Sequence, residues 1–228
     1  MGRSLAIRED IGDKHGMGNS LNNIGVVHKI KGDYETALDY YGRSLVIREE
    51  LGDKDGMGHS LNNIGNVHKN KGDYDKALDH LERSLAIREK IGDKSGMGYS
   101  LGNIGGVHTD KGDYNKAEEY LEKSLAIQKE IGLGGEDLIW STTYLYLTYK
   151  HLSKQYDVKE IHILIKDAEN IEFELNYRLY ELLEDKSYLK NAYNQVQENA
   201  SAMEEELAKK FLSYPIPKAI VEEWEKVK

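Results

Sequence analysis

The residues of this chain best suited to binding chemistry are asparagines: Asn19, Asn22 and Asn23, then Asn62, Asn63, Asn66 and Asn70, then Asn103. An asparagine amide both donates and accepts, so a row of them can clamp a peptide backbone in either direction without reading side chains. Asparagine is also a mediocre helix former, disfavoured by roughly 0.7 kcal/mol relative to alanine. Asn22, Asn23, Asn62, Asn63 and Asn66 therefore burden any helix that carries them unless they do something. They could hold a ligand, or they could bond to a neighbouring helix and fix its position. Asn23, Asn63 and Asn103 recur at one constant spacing, which favours the second use for those three.

His28, His68 and His108 form a parallel series. A shared zinc needs each ligand nitrogen at about 2.0–2.1 Å, whereas equivalent residues on stacked helices sit about 8–10 Å apart. These histidines read as fillers between paired helices, not as a metal site. Gly56-Met57-Gly58 lacks the lysine and Ser/Thr of a phosphate loop and reads as close helix packing. Asp53-x-Asp55 is no calcium loop, because Met57 stands at the third ligand position. Ser20, Ser60 and Ser100 lie on helices without a nucleophile elbow. No pair of carboxylates stands out from the acidic background. The chain has no cysteine, which removes disulfides, thiolate metal sites and cysteine nucleophiles. Neither catalysis nor a cofactor is expected.

The elements that must carry these residues follow a period of 40. Asp13-Lys14, Asp53-Lys54 and Asp93-Lys94 open successive units. Units 13–52 and 53–92 agree at 28 of 40 positions, and units 53–92 and 93–132 at 26. A fixed period of this length marks a solenoid. In the second unit Leu61, Ile64, Val67 and His68 recur at helical spacing, and so do Tyr74, Ala77, Leu78, Leu81 and Leu85. Between the runs, Gly72 can end one helix at positive φ and Asp73 can cap the next. The same turn recurs at Gly32-Asp33 and Gly112-Asp113, and Gly52-Asp53 and Gly92-Asp93 join unit to unit. Strand patterns are absent.

Differences between units are as informative as identities. In the first helices they fall mainly at 15/55/95, 19/59/99, 26/66/106 and 30/70/110. Those steps place them on one stripe, opposite fixed apolar residues such as Leu21, Ile24 and Val27. In the second helices Glu49, Glu50, Glu82, Arg83 and Arg88 read as a solvated face, and the tyrosines of 136–193 as interhelix packing. The net charge of −9 weighs against nucleic acid and anionic membrane surfaces as partners. No apolar run approaches the roughly 20 residues of a membrane helix, and the N-terminus has no apolar signal core. A cytoplasmic protein is expected.

Leu61-x-x-Ile64-Gly65-x-x-His68, followed by Ala77-x-x-x-Leu81, resembles the tetratricopeptide pattern Trp-x-x-Leu-Gly-x-x-Tyr and Ala-x-x-x-Phe. The usual repeat is about 34 residues and ends in proline; the longer unit here is similar to the repeats of kinesin light chains and Pins-type polarity adaptors. Their Leu-Asn-Asn-Leu and Asn-Leu-Gly-Asn segments resemble Leu61-Asn62-Asn63-Ile64-Gly65-Asn66. The resemblance covers residues 2–132. It implies an all-α fold: a right-handed α-solenoid of helix–turn–helix repeats whose first helices line a concave groove. Gly65 and Ala77 would be the small residues that let paired helices approach. The groove would take Asn19, Asn22, Asn23, Val26 and Lys29 from the first unit. The second would offer His59, Asn62, Asn63, Asn66, Lys69 and Asn70, and the third Tyr99, Asn103, Gly106 and Asp110. Tyr99 and Val26 would read ligand side chains; Lys29 and Lys69 would favour an acidic group.

Residues 1–12 form a partial repeat, since 2–12 match 42–52. That end is expected to self-associate or to be covered by upstream repeats. Residues 13–132 hold three units. Residues 133–170 form a degenerate fourth, with helices at 136–154 and 157–170. Residues 171–228 form a C-terminal helical cap, with helices at 171–184, 187–199, 201–212 and, beyond Pro215 and Pro217, at 217–227. The tail from Tyr214 to Trp224 resembles the ends of repeat arrays in large bacterial signalling proteins that carry kinase or cyclase domains. The expected function is protein–protein interaction, holding a segment of a partner in the groove. The alternatives are a structural spacer or oligomerisation element, and a regulatory region of an upstream kinase or cyclase domain.

Overall fold

The computed structural model describes residues 2–134, 136–166, 168 and 171–228. Among them are thirteen helices and no strand. The helices fall into two units, divided between Ser100 and Leu101.

The first unit starts with α1 (Gly2–Asp10). Two hairpins follow, α2 (Lys14–Ile30) with α3 (Tyr34–Leu51) and α4 (Lys54–Lys71) with α5 (Tyr74–Ile91). Each hairpin closes where a second apolar face returns onto the first. At the turn of the second hairpin Gly72 has φ 82°, a left-handed conformation that a β-carbon would oppose. Asp13, Asp33 and Asp53 then cap the following helices by accepting a backbone N–H three residues on. Asp73 and Asp113 make no such bond. Their carboxylates turn instead to His68 and His108, 3.3 and 3.4 Å away. The capping expected of Asp73 is absent, although Asp33 makes the same histidine pair and keeps its cap.

Glycine sets the spacing of each hairpin. A β-carbon on Gly65 would lie 2.6 Å from Leu81 Cγ, and one on Gly25 would lie 2.7 Å from the Tyr41 ring. Leu61, Val67, Ala77 and Leu81 fill the resulting core. Successive hairpins are stapled by polar groups. Ser44 Oγ donates to the Gly18 carbonyl at 2.8 Å and lies 3.2 Å from Ser60 Oγ. Ser84, Gly58 and Ser100 repeat this geometry. Arg48 donates to the Gly56 carbonyl and to Asn19.

Arg88 differs from the expectation of a solvated face. Its side chain is buried and paired with Asp93, whereas Glu49, Glu50, Glu82 and Arg83 are exposed. Room for the two arginines comes from the Gly-Met-Gly segment. A β-carbon on Gly56 would meet Arg48 Cδ at 2.7 Å, and one on Gly58 would meet Arg88 Nε at 3.2 Å.

Between the units in sequence runs α6 (Lys94–Lys111). The second unit holds α7 (Tyr114–Glu130), α8 (Glu136–His151), α9 (Val158–Ile165), α10 (Phe173–Leu183), α11 (Lys186–Ser201), α12 (Glu205–Ser213) and α13 (Pro215–Val227). Leu121, Tyr144, Ile161 and Leu179 form its centre. The helix expected over 157–170 ends at Ile165; Asp167, Glu169 and Asn170 lie outside the described residues. Pro215 opens α13, two residues earlier than expected, because a proline at the first helical position forfeits no hydrogen bond. The break sits at Tyr214, at φ −68° and ψ 152°. Among the described residues no helix is long and apolar enough to cross a membrane.

Candidate functional site

The face proposed for ligand binding is carried in the first unit by α2 and α4. Asn63 Nδ2 donates to Asn22 Oδ1 at 3.0 Å, tying the two helices together. Asn19 Oδ1 accepts from Arg48 Nη2 at 2.9 Å. Asn70 Nδ2 reaches the Tyr34 hydroxyl at 3.4 Å. These four asparagines serve, at least in part, to position helices. Lys69 is only 4% exposed, so its ammonium is not presented to a ligand; Lys29 is half-buried.

Asn23 is exposed and Asn66 half-buried, and neither has a hydrogen-bond partner among the described residues. Between them they keep four polar atoms available on one helix pair. His59 is exposed, with Nε2 3.8 Å from the Asp55 carboxylate. Tyr99 is also exposed, and Asn62 and Asn103 are half-buried; these three engage other groups of the chain. At the variable positions the first unit offers Val26 and Ile30 on α2 and Asn66 and Asn70 on α4. Ile30 is exposed.

In the second unit the corresponding face is filled from within. A β-carbon on Gly106 would lie 3.5 Å from the Tyr144 ring. Asp110, taken above as a groove residue, accepts from Arg178 Nη2 at 2.6 Å. Arg178 also donates to Glu181 at 2.6 Å, and the Tyr144 hydroxyl donates to Glu174 at 2.7 Å. Sequence reasoning missed Arg178. It lies 68 residues from Asp110, and its only sequence signal is an aspartate where the other units carry Ile30 and Asn70.

The histidine series acts in packing. His28, His68 and His108 each stack on the residue at 40, 80 or 120 with ring centroids 5.6 Å apart. His28 Nδ1 lies 3.0 Å from Asp33. In the second repeat the stacked partner is itself a histidine, His80. Burial holds both His68 and His80 below the usual imidazole pKa, against a weaker opposing pull from Asp73 on His68. No group of three or more His, Asp or Glu able to hold a metal occurs among the described residues.

Comparison with known proteins agrees with this architecture. The tetratricopeptide repeat model matches residues 16–90 and 56–130, together just over half of the chain. A search of curated proteins finds no significant match. Among solved structures, the apo form of RapI aligns with a TM-score of 0.65 and 16% identity, over 92% of this chain and 84% of that one. A Podosopora anserina kinesin light chain with nearly identical tetratricopeptide-like repeats aligns at 0.54 and 17%, over 91% and 96%. A Rap protein complexed with competence and sporulation factor aligns at 0.62 and 17%, over 96% and 66%. The paired helices, the glycine-spaced hairpins and the matched repeats lead to one assignment: the chain is an α-solenoid that belongs to the tetratricopeptide repeat family.

Proposed function

We propose that this chain is a protein–protein interaction module that holds a segment of a partner on the first-helix face of α2 and α4. The observation that carries the proposal is Asn66. Its carboxamide is half-buried and has no partner among the described residues, at a position where the units vary between valine, asparagine and glycine. An asparagine inside a helix that contributes nothing to packing is disfavoured by roughly 0.7 kcal/mol, and a ligand backbone would satisfy both ends of its amide. Asn23 and Asn62 extend the same row. The Rap protein that shares the fold was solved in complex with competence and sporulation factor, which supports a bound partner on this fold. A second copy of the chain is a separate partner, argued below from a different face.

The test is capture from lysate of the native host, with wild type beside Asn66→Ala and Asn62→Ala/Asn66→Ala. Wild type is expected to retain a partner that the variants lose while keeping full helical circular dichroism. Equal retention by all three would move the interface away from this face, and capture of nothing would favour a purely structural array.

A further inference from the structure

The second helix of the first repeat departs from its two counterparts on one stripe. Position 42 is glycine where the others carry Glu82 and Glu122, and position 46 is valine where they carry Ala86 and Ala126. Both changes disfavour the helix. Glycine in a helix interior is about 1 kcal/mol worse than alanine, and valine is also a weaker helix former than alanine. Neither change serves packing inside the chain. A β-carbon on Gly42 would meet nothing within 4 Å, and Val46 is 54% exposed. They border a trough of about 510 Å³, with Leu38, Gly42 and Val46 along one stripe of α3, Asp39 and Arg43 beside it, and Glu9 of α1 and Met17 of α2 among its lining residues.

From this stripe we infer that α3 is a self-association surface: it crosses α3 of a second copy of the chain, antiparallel, at Gly42. A two-fold axis makes the residue upon it meet its own copy. Glycine tolerates that and lets the two backbones approach; Glu82 or Glu122 at the same place would set carboxylate against carboxylate. With Gly42 on the axis, the register places Val46 of each copy on Leu38 of the other, since both lie four residues from the centre. Leu38, Gly42 and Val46 follow the i±4 row that helices commonly use as a packing ridge.

Charge fixes the direction. Asp39 and Arg43 sit one turn apart, 3.6 Å between their charged atoms, and both are at least half exposed. In the antiparallel register Arg43 of each copy lies two positions from Asp39 of the other, and the two Arg43 lie two positions from each other, so two attractions outweigh one repulsion. A parallel crossing would lay like charge on like. The partner implied is therefore another copy of this chain, not a generic apolar helix.

Sedimentation velocity on the chain from about 2 to about 200 μM tests the inference, because mass action draws a self-associating protein into its dimer as concentration rises. Wild type is expected to move from the 26.0 kDa monomer toward twice that mass. Gly42→Glu installs the residue that the other two repeats carry, so folding is retained, and the dimer should be lost. Asp39→Arg should weaken the dimer by about tenfold, and Asp39→Arg/Arg43→Asp should restore it. A wild type that remains at monomer mass throughout overturns the inference, and so does a Gly42→Glu variant that dimerises equally well.

Discussion

At position 41 the first repeat carries tyrosine where the second and third carry Leu81 and Leu121. The ring fits because Gly25 lies beneath it. The hydroxyl does not: Tyr41 is fully buried, and its oxygen has no hydrogen-bond partner among the described residues. Burial accordingly pushes its pKa well above the usual phenol value. An unpaired buried hydroxyl costs about 1–3 kcal/mol, while the ring contributes core volume that leucine would not replace over Gly25. Tyr41→Phe keeps the ring and removes the oxygen. It should raise the melting temperature by a few degrees, since about 1 kcal/mol corresponds to roughly 2–4 °C in a chain of this size. Tyr41→Leu should lower it by opening a void. Differential scanning calorimetry separates the two; a destabilised Tyr41→Phe would mean that the hydroxyl has a partner after all.

Among the elements, the second hairpin responds to pH through two stacked histidines. His68 of α4 and His80 of α5 stack at 5.6 Å with rings 3° from parallel, where the first hairpin sets histidine against Tyr40 and α6 sets His108 against Tyr120 of α7. Burial lowers both folded-state pKa values, and each cation would repel the other. A folded pKa below the unfolded value means that the unfolded chain takes up protons first. The hairpin therefore keeps its full stability above about pH 6.5 and loses it as pH falls through the depressed values. His80→Tyr restores the arrangement of the other hairpins and should flatten the fall in melting temperature between pH 7 and pH 5. Identical slopes would show that the stacked pair does not titrate as described. At this scale the sequence was highly legible. Apolar spacing in 61–85 and the glycine–aspartate turns place α4 and α5 to within a residue or two, because those signals are local. Asp73 was legible as a turn residue but not as a partner of His68, since a backbone N–H and an imidazole N–H are both donors within reach of one short carboxylate. Arg88 was misplaced because a long charged side chain reads as solvated until Gly58 opposite it is seen to leave a slot.

For the molecule as a whole, faces were legible but occupancy was not. The variable positions showed that α2 and α4 share a stripe, and recurrence favoured a helix-positioning use for Asn63, which bonds to Asn22, but it favoured the same use for Asn23, whose side chain has no hydrogen-bond partner among the described residues. Charge, by contrast, is a property of the whole chain and can be read from the sequence directly. Each copy carries a net −9, so two copies repel while the Asp39–Arg43 contacts across the proposed dimer attract. The attraction comes from exposed pairs worth at most about 1 kcal/mol each, and it acts over a few ångströms. The repulsion extends over the Debye length, about 30 Å at 0.01 M salt and about 8 Å at 0.15 M. Salt therefore removes more repulsion than attraction over that range, and the dimer should tighten several-fold. Sedimentation at the two ionic strengths measures it. A dimer that instead loosens with salt would mean that the local pairs, not the hydrophobic contact of Val46 on Leu38, supply its affinity.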